Sequence, residues 1–379
     1  VALGVSTSMV FMFVLFGAML ESGGAGNYFI RASFAALGHF KGGPAKAAVV
    51  SSGLTGLVSG SSIANVVTTG TFTIPLMKKV GFKAEKAGAF EVACSTNGQL
   101  MPPVMGAAAF LMVEYVGISY IEVIKHAFLP AIISYIALVY IVHLEASKMG
   151  LEGMEKKVTR TIVQRLTSFV ATVLFMIIMA GVTYYGLGWI KGVAGAATIY
   201  IVVILLAAAY LLLLKIACSV PELEQSHEIK ELPNFGETFR AGLYYLLPIV
   251  VLMWCLVVER LSPGLAAYWA TVLMIVILLT QRPLKGFFRK SHGADFAFMT
   301  GCKDLIDGMV AGARNMIGIG VATSAAGIVV GTVTLTGIGL VMTEFVEFIS
   351  GGNLMLILLF TAIISLILGM GLPTTANYI

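Results

Sequence analysis

Two short polar phrases interrupt long apolar sequence and carry oxygen atoms suited to a hard cation. The first is Gly60-Ser61-Ser62-Ile63-Ala64-Asn65; the second is Gly369-Met370-Gly371-Leu372-Pro373-Thr374-Thr375-Ala376-Asn377. Each follows a glycine pair by the same interval, Gly42-Gly43 before Gly60 and Gly351-Gly352 before Gly369. In hydrocarbon, hydroxyls, amides and unpaired backbone groups persist only where protein or a watery cavity satisfies them. Two such interruptions in corresponding places point to the binding site of a transporter. Ser61, Ser62 and Asn65 at the first tip, and Thr374, Thr375 and Asn377 at the second, offer side-chain oxygens of the kind a sodium ion accepts. Gly60 and Gly369 allow close backbone approach, and Pro373 frees backbone carbonyls. The half-helix N-termini at such tips suit an anionic group of a substrate, so the same residues are candidates for substrate binding.

A third interruption, Ser95-Thr96-Asn97-Gly98-Gln99-Leu100-Met101-Pro102-Pro103, breaks an otherwise apolar helix. Pro102 and Pro103 donate no amide hydrogen, so the carbonyls of Gly98 and Gln99 are expected to lose their helical partners. Freed carbonyls facing Ser61 and Asn65 would complete a cation cage; the plainer alternative is a kinked helix. The matching broken helix of the second site is expected beyond Ile379, and both ends of the chain read as cut. This stretch alone is not expected to transport.

Positioning these tips requires a membrane. Hydrophobic residues make up 58% of 379 and charged ones 11%, with mean hydropathy +0.95, more apolar surface than one soluble core could hide. The expected spans are 3–20, a broken span 84–116, 121–142, 163–186, 192–214, 242–258, 265–280 and 313–334, each near the roughly 20 residues a crossing helix needs. Lys and Arg concentrate in loops 145–165, 215–241 and 281–303, which therefore face the cytoplasm. Stretch 44–77 carries Arg31, Lys41 and Lys46 before or at its start and Lys78, Lys79, Lys83 and Lys86 after it. It enters and leaves on one side, as a re-entrant hairpin. The second hairpin, from 353 onward, follows Glu344 and Glu347 and enters from the opposite side. Segments 27–41 and 340–350 precede the two hairpins as short amphipathic interfacial arms. The same elements in the same order on opposite faces form an inverted repeat. The chain divides into a first repeat (1–142), connecting and scaffold-like helices (143–312) and a second repeat (313–379). Gly53, Gly56, Gly106, Gly318 and Gly320 read as close helix packing.

Other chemistry finds little support. The cysteines Cys94, Cys218, Cys255 and Cys302 lack metal-ligand spacing. The histidines His39, His126, His143, His227 and His292 lie in loops or near span ends, and His227-Glu228-Ile229-Lys230-Glu231 lacks the second histidine of a zinc protease. Without a base in reach, Ser61 and Ser62 are not nucleophiles, and no enzyme is expected. The net charge of +5 is a topology signal, and no nucleic-acid partner is expected. Glu91 either faces a cavity or pairs with Lys86 or Lys83. Asp304, Asp307 and Arg314 read as a local salt-linked cap.

The long first-tip motif running from Gly60 to Met77, together with Ser95 to Pro103 and Gly369 to Asn377, resembles the large membrane subunit of tripartite ATP-independent periplasmic (TRAP) transporters. It is most similar to fused permeases of the TAXI type. The resemblance covers essentially the whole chain. It implies an all-α polytopic protein of the bacterial or archaeal cytoplasmic membrane: an inverted-repeat, elevator-type transporter with two oppositely oriented re-entrant hairpins and broken helices. It further implies a sodium-coupled importer of a small organic acid, a periplasmic binding protein that delivers the acid, and a small membrane subunit, separate or fused. By the same resemblance, Ser61, Ser62, Asn65, Gly98 and Pro102 match the first sodium region, and Gly369, Pro373, Thr374 and Asn377 match the hairpin part of the second. Many family members carry Asp where Asn65 stands. The alternative is a sodium-coupled dicarboxylate carrier that works without a binding protein.

Overall fold

The computed structural model describes residues 2–154, 198–223, 232–289 and 294–370, and every regular element among them is helical. Among the described residues five helices are long and apolar enough to cross a bilayer, or six when the pair Phe235–Ala241 and Leu243–Val257, bent by 55°, counts as one. The expected span 163–186 lies outside the described residues.

The first span is α1 (Leu3–Ser22). Gly24, in the left-handed region, opens the arm α2 (Ala25–Leu37), and Gly42 does the same for α3 (Gly43–Ser59). Gly60 and Ser61 link α3 to α4 (Ser62–Lys79). These two helices are antiparallel: Asn65 reaches Ser52, and Phe72 and Leu76 pack in the cluster containing Ala47. The hairpin expected over 44–77 is therefore present. The broken span follows as α5 (Ala84–Gly98) and α6 (Ala107–Val116), and then α7 (Tyr120–Lys148), opened by a Ser119/Glu122 capping box. Capping explains the start of α7, since each side chain satisfies a backbone N–H that the first turn leaves orphaned.

Beyond residue 197 come α8 (Thr198–Cys218), α9 (Phe235–Ala241), a short 3-10 turn Leu243–Leu246 running into α10 (Leu247–Val257), and α11 (Pro263–Arg289). The stretch 215–241 was expected to be loop, but α9 forms within it. Asn234 caps α9, and the Tyr28 hydroxyl of the arm donates to the Phe239 carbonyl at 3.2 Å.

Helix α12 (Ala294–Thr336) has 43 residues, about 65 Å at 1.5 Å per residue, far longer than the expected span 313–334. It lies antiparallel along α1: Ser22 Oγ donates to the Asp304 carbonyl at one end and Ser6 Oγ to Thr323 Oγ1 at the other. Gly308 and Gly312 admit the α1 backbone at Met19 and Leu15. Because Asp304 falls inside this long helix, it does not cap it. Its carboxylate instead takes Arg282 of α11 at 2.7 Å, which replaces the expected local cap with a bridge between helices. Gly318 and Gly320 face open space, so the packing glycines of α12 are others; Gly53, Gly56 and Gly106 do meet close neighbours as expected. The chain continues as α13 (Ile338–Ser350), opened by left-handed Gly337, and α14 (Leu354–Gly369).

The largest core cluster gathers α1, α8, α10 and α11, with the Phe110 and Tyr120 rings stacked and Phe13 tilted against them between α1, α6 and α7. A second cluster joins α3, α4, α5 and α7 through Val49, Met77, Phe90 and Val142. The arm α2 serves both sides. Tyr28 and Phe29 belong to the first cluster, whereas Ile30 and Phe34 pack with α3 and α4, so α2 is more enclosed than an amphipathic surface helix.

Candidate functional site

The first tip and the helix break meet. A Cβ on Gly60, whose φ is +58°, would lie 2.5 Å from the Met105 carbonyl, and one on Gly56 would lie 2.6 Å from Gly98 Cα. Only glycine tolerates both the backbone sign and the approach at position 60. Gln99 Nε2 donates to Ser62 Oγ at 3.2 Å, tying break to tip. Ser61 caps α4 by accepting from the Ala64 amide at 3.3 Å, as an N-cap serine should. Both serines are half-buried; Gly98 and Pro102 are buried.

The carbonyls expected to be freed by the prolines are not orphaned. Met101 N–H donates to Gly98 O at 3.2 Å, and Gly106 N–H reaches back across the loop to Gln99 O at 2.8 Å. The chain replaces the missing proline donors by closing a tight loop. Tyr120 of α7 fastens the loop from outside, its hydroxyl lying 2.6 Å from the Pro103 carbonyl and 2.9 Å from that of Val104.

Asn65 is the centre of the arrangement. It is 2% exposed, and its Nδ2 donates to the Ser52 carbonyl at 3.0 Å and to Ser52 Oγ at 2.8 Å. A backbone carbonyl only accepts, which fixes the orientation of the amide. Among the described residues its Oδ1 then has no hydrogen-bond partner although it is buried. Buried polar atoms without partners are rare and costly, and an oxygen in that state suits a cation.

Behind Asn65 runs a polar seam whose role the sequence did not assign. Ser52 Oγ lies 3.3 Å from Ser95 Oγ, which donates to Glu91 Oε1 at 3.4 Å. Thr69 shares its one hydrogen between the same oxygen of Glu91 and the Asn65 carbonyl, and Thr73 shares its own between the other oxygen and the Thr69 carbonyl. Glu91 is fully buried, so it neither faces a cavity nor pairs with Lys86 or Lys83; Lys86 binds Glu145 instead. The signal was available as spacing: Asn65, Thr69 and Thr73 form one i, i+4 stripe on α4, and Glu91 and Ser95 another on α5. Tyr135 of α7 donates to the Cys94 carbonyl at 3.0 Å beside this seam. Along α3 and α7 a mostly apolar cleft of ≈ 620 Å³ ends at Lys46, whose ammonium contacts His143 Nδ1 at 2.9 Å.

At the second tip Gly369, the end of α14, and Met370 are placed; Pro373, Thr374, Thr375 and Asn377 lie outside the described residues. Among the described residues no group of three His, Cys, Asp or Glu side chains could hold a metal, so a cation here would rest on neutral oxygens.

Comparison with known proteins gives the family. The model for the DctM component of tripartite ATP-independent periplasmic transporters matches residues 2–219 and 190–379. The C4-dicarboxylate TRAP transporter large permease protein DctM of Vibrio cholerae is 37% identical over 91 residues, 24% of this chain and 20% of the relative. The protein of the same name from Pseudomonas aeruginosa is 27% identical over 191 residues, 50% of this chain and 44% of the relative. The ectoine TRAP transporter large permease protein TeaC of Halomonas elongata is 36% identical over 95 residues, 25% of this chain and 22% of the relative. The matched stretches thus span less than half the length of each of these relatives. With the family model covering both halves, the chain belongs to the DctM family, the large membrane component of TRAP transporters: a multi-pass protein of the cytoplasmic membrane, and not an enzyme.

Proposed function

We propose that this chain is the permease part of a sodium-coupled TRAP importer that takes up a small organic acid handed over by a periplasmic binding protein. The hairpin of α3 and α4 and the break between α5 and α6 form one cation-holding unit, with Asn65, Ser61, Gly98 and Pro102 around the ion. The unpartnered Oδ1 of Asn65 at the packed junction of tip and break carries this reading. The second hairpin supplies Gly369, Pro373, Thr374, Thr375 and Asn377 to a related sodium and substrate site. A small membrane subunit, fused as in TAXI-type permeases or separate, provides further scaffold, and the hairpins move across the membrane as an elevator on the arms α2 and α13. Recurrence of the element order supports the repeat: left-handed Gly24, α2 of 13 residues and left-handed Gly42 are matched by Gly337, α13 of 13 residues and Gly351.

Relatives named for C4-dicarboxylate and ectoine make succinate and ectoine the first substrates to test. The full-length protein and its small subunit, reconstituted in proteoliposomes, should accumulate substrate against a gradient only with external sodium and the binding protein. Full-rate uptake of free substrate without the binding protein would favour the sodium-dicarboxylate carrier instead. Flux that never exceeds equilibrium would mean a channel.

A further inference from the structure

Glu91 is a fully buried carboxylate, and among the described residues no lysine, arginine or histidine bonds it. An ion in that position is costly unless something balances its charge. Its neighbours on the packed helices are hydroxyls: Thr69 and Thr73 on α4 and Ser95 on α5, with Ser52 of α3 behind Ser95. The titratable groups beside it are Cys94 on its own helix and Tyr135 on α7, neither cationic.

The hydrogens in the seam run one way. Asn65 Nδ2 must donate to Ser52, because the Ser52 carbonyl on the same side can only accept. Ser95 gives its one hydrogen to Glu91, leaving Ser52 to donate to Ser95. The chain of donors from Asn65 through Ser52 and Ser95 ends on the carboxylate. Such a chain is polarised by the charge at its end. The positive end of the Asn65 amide is drawn towards Glu91, and the unpartnered Oδ1 is left pointing the other way as an enhanced acceptor.

We propose that Glu91 supplies the negative charge of the first-tip site, and that a small monovalent cation, sodium ion or proton, taken up at or beside Asn65 neutralises it through this relay. The inference rests on the cation-holding reading of the tip given above. It makes the charge one layer deeper than the ligands that touch the ion, on a residue no tip motif contains.

The test is thermal unfolding of the full-length protein in detergent, titrated with sodium chloride against choline chloride from acid to alkaline pH. The wild type should gain stability with sodium, with a midpoint that falls as pH rises because protons compete. Glu91→Gln keeps the shape and removes the charge. It should raise the sodium midpoint by about tenfold or more, given the strength of a unit charge in a low-dielectric site, and flatten its pH dependence. Stabilisation of the wild type by acid alone, lost in Glu91→Gln, would identify the cation as the proton. If Glu91→Gln does not fold, Ser95→Ala cuts the relay and should raise the midpoint several-fold. A folded Glu91→Gln, or Ser95→Ala in its place, with the wild-type midpoint and pH profile overturns the proposal. Failure of the broader cation-holding reading looks different: the wild type itself would be stabilised by neither sodium nor acid.

Discussion

Helices α3 and α14 follow the same local plan, each preceded by a 13-residue arm and a left-handed glycine, yet their surroundings differ. In α3, Ala45, Ala47, Ala48 and Val49 are at most 1% exposed, whereas Leu354, Met355 and Leu366 of α14 are 68%, 72% and 71% exposed. The hydroxyls differ in the same sense. Ser52 of α3 bonds to Asn65 and Ser95 on two other helices, while Thr361 of α14 returns its hydrogen to Ile357 O of its own turn. A hydroxyl that bonds back to its own helix is locally satisfied and carries no tertiary information. Among the described residues, glycine placement and helix length set the local plan of both helices, but polar side chains bond across helices only where partner helices converge on them.

Substitutions that fill space should expose the contrast most strongly. Gly56→Val in α3 would drive a side chain into the Gly98 backbone, 2.6 Å from the added Cβ, and should cost about 3 kcal/mol. Thermal unfolding in detergent reads this as a large drop in midpoint; an unchanged midpoint would remove the tight tip-to-break packing from the account. Tyr135→Phe deletes the bond to the Cys94 carbonyl and should cost about 1 kcal/mol in the same assay. In the second region the sign reverses. Gly318→Ala, where a Cβ meets nothing within 4 Å, should stabilise by about 0.5 kcal/mol through helix propensity. Thr361→Val should stay within about 0.5 kcal/mol of the wild type; a loss as large as that of Tyr135→Phe would mean α14 has partners of its own.

Much of the fold was legible because its signals are local. The glycine pairs, the Gly60 link and the prolines at 102 and 103 fixed the hairpin and the helix break to within a few residues of α3, α4 and α5. The two tips' residues could be named for the same reason, and the first tip does meet the break. What was not legible depended on pairing across helices. The carbonyls of Gly98 and Gln99 were expected to be free because loss of a proline donor is visible in sequence, while the replacement donor Gly106 N–H appears only when the loop closes. Glu91 could not be assigned because its three hydroxyl donors come from α4 and its own helix, and nothing in a linear reading ranks Thr69 and Thr73 above Lys86. Asp304 was misplaced because α12 starts well before the apolar run that announced it.

The proposed sodium ion sits at Asn65, between the first tip and the helix break. Asn65→Ala in the full-length protein removes the unpartnered oxygen, and sodium-dependent thermal stabilisation measures the consequence. The expected variant folds and no longer gains stability from sodium at concentrations that stabilise the wild type. A variant whose sodium midpoint equals that of the wild type would contradict it.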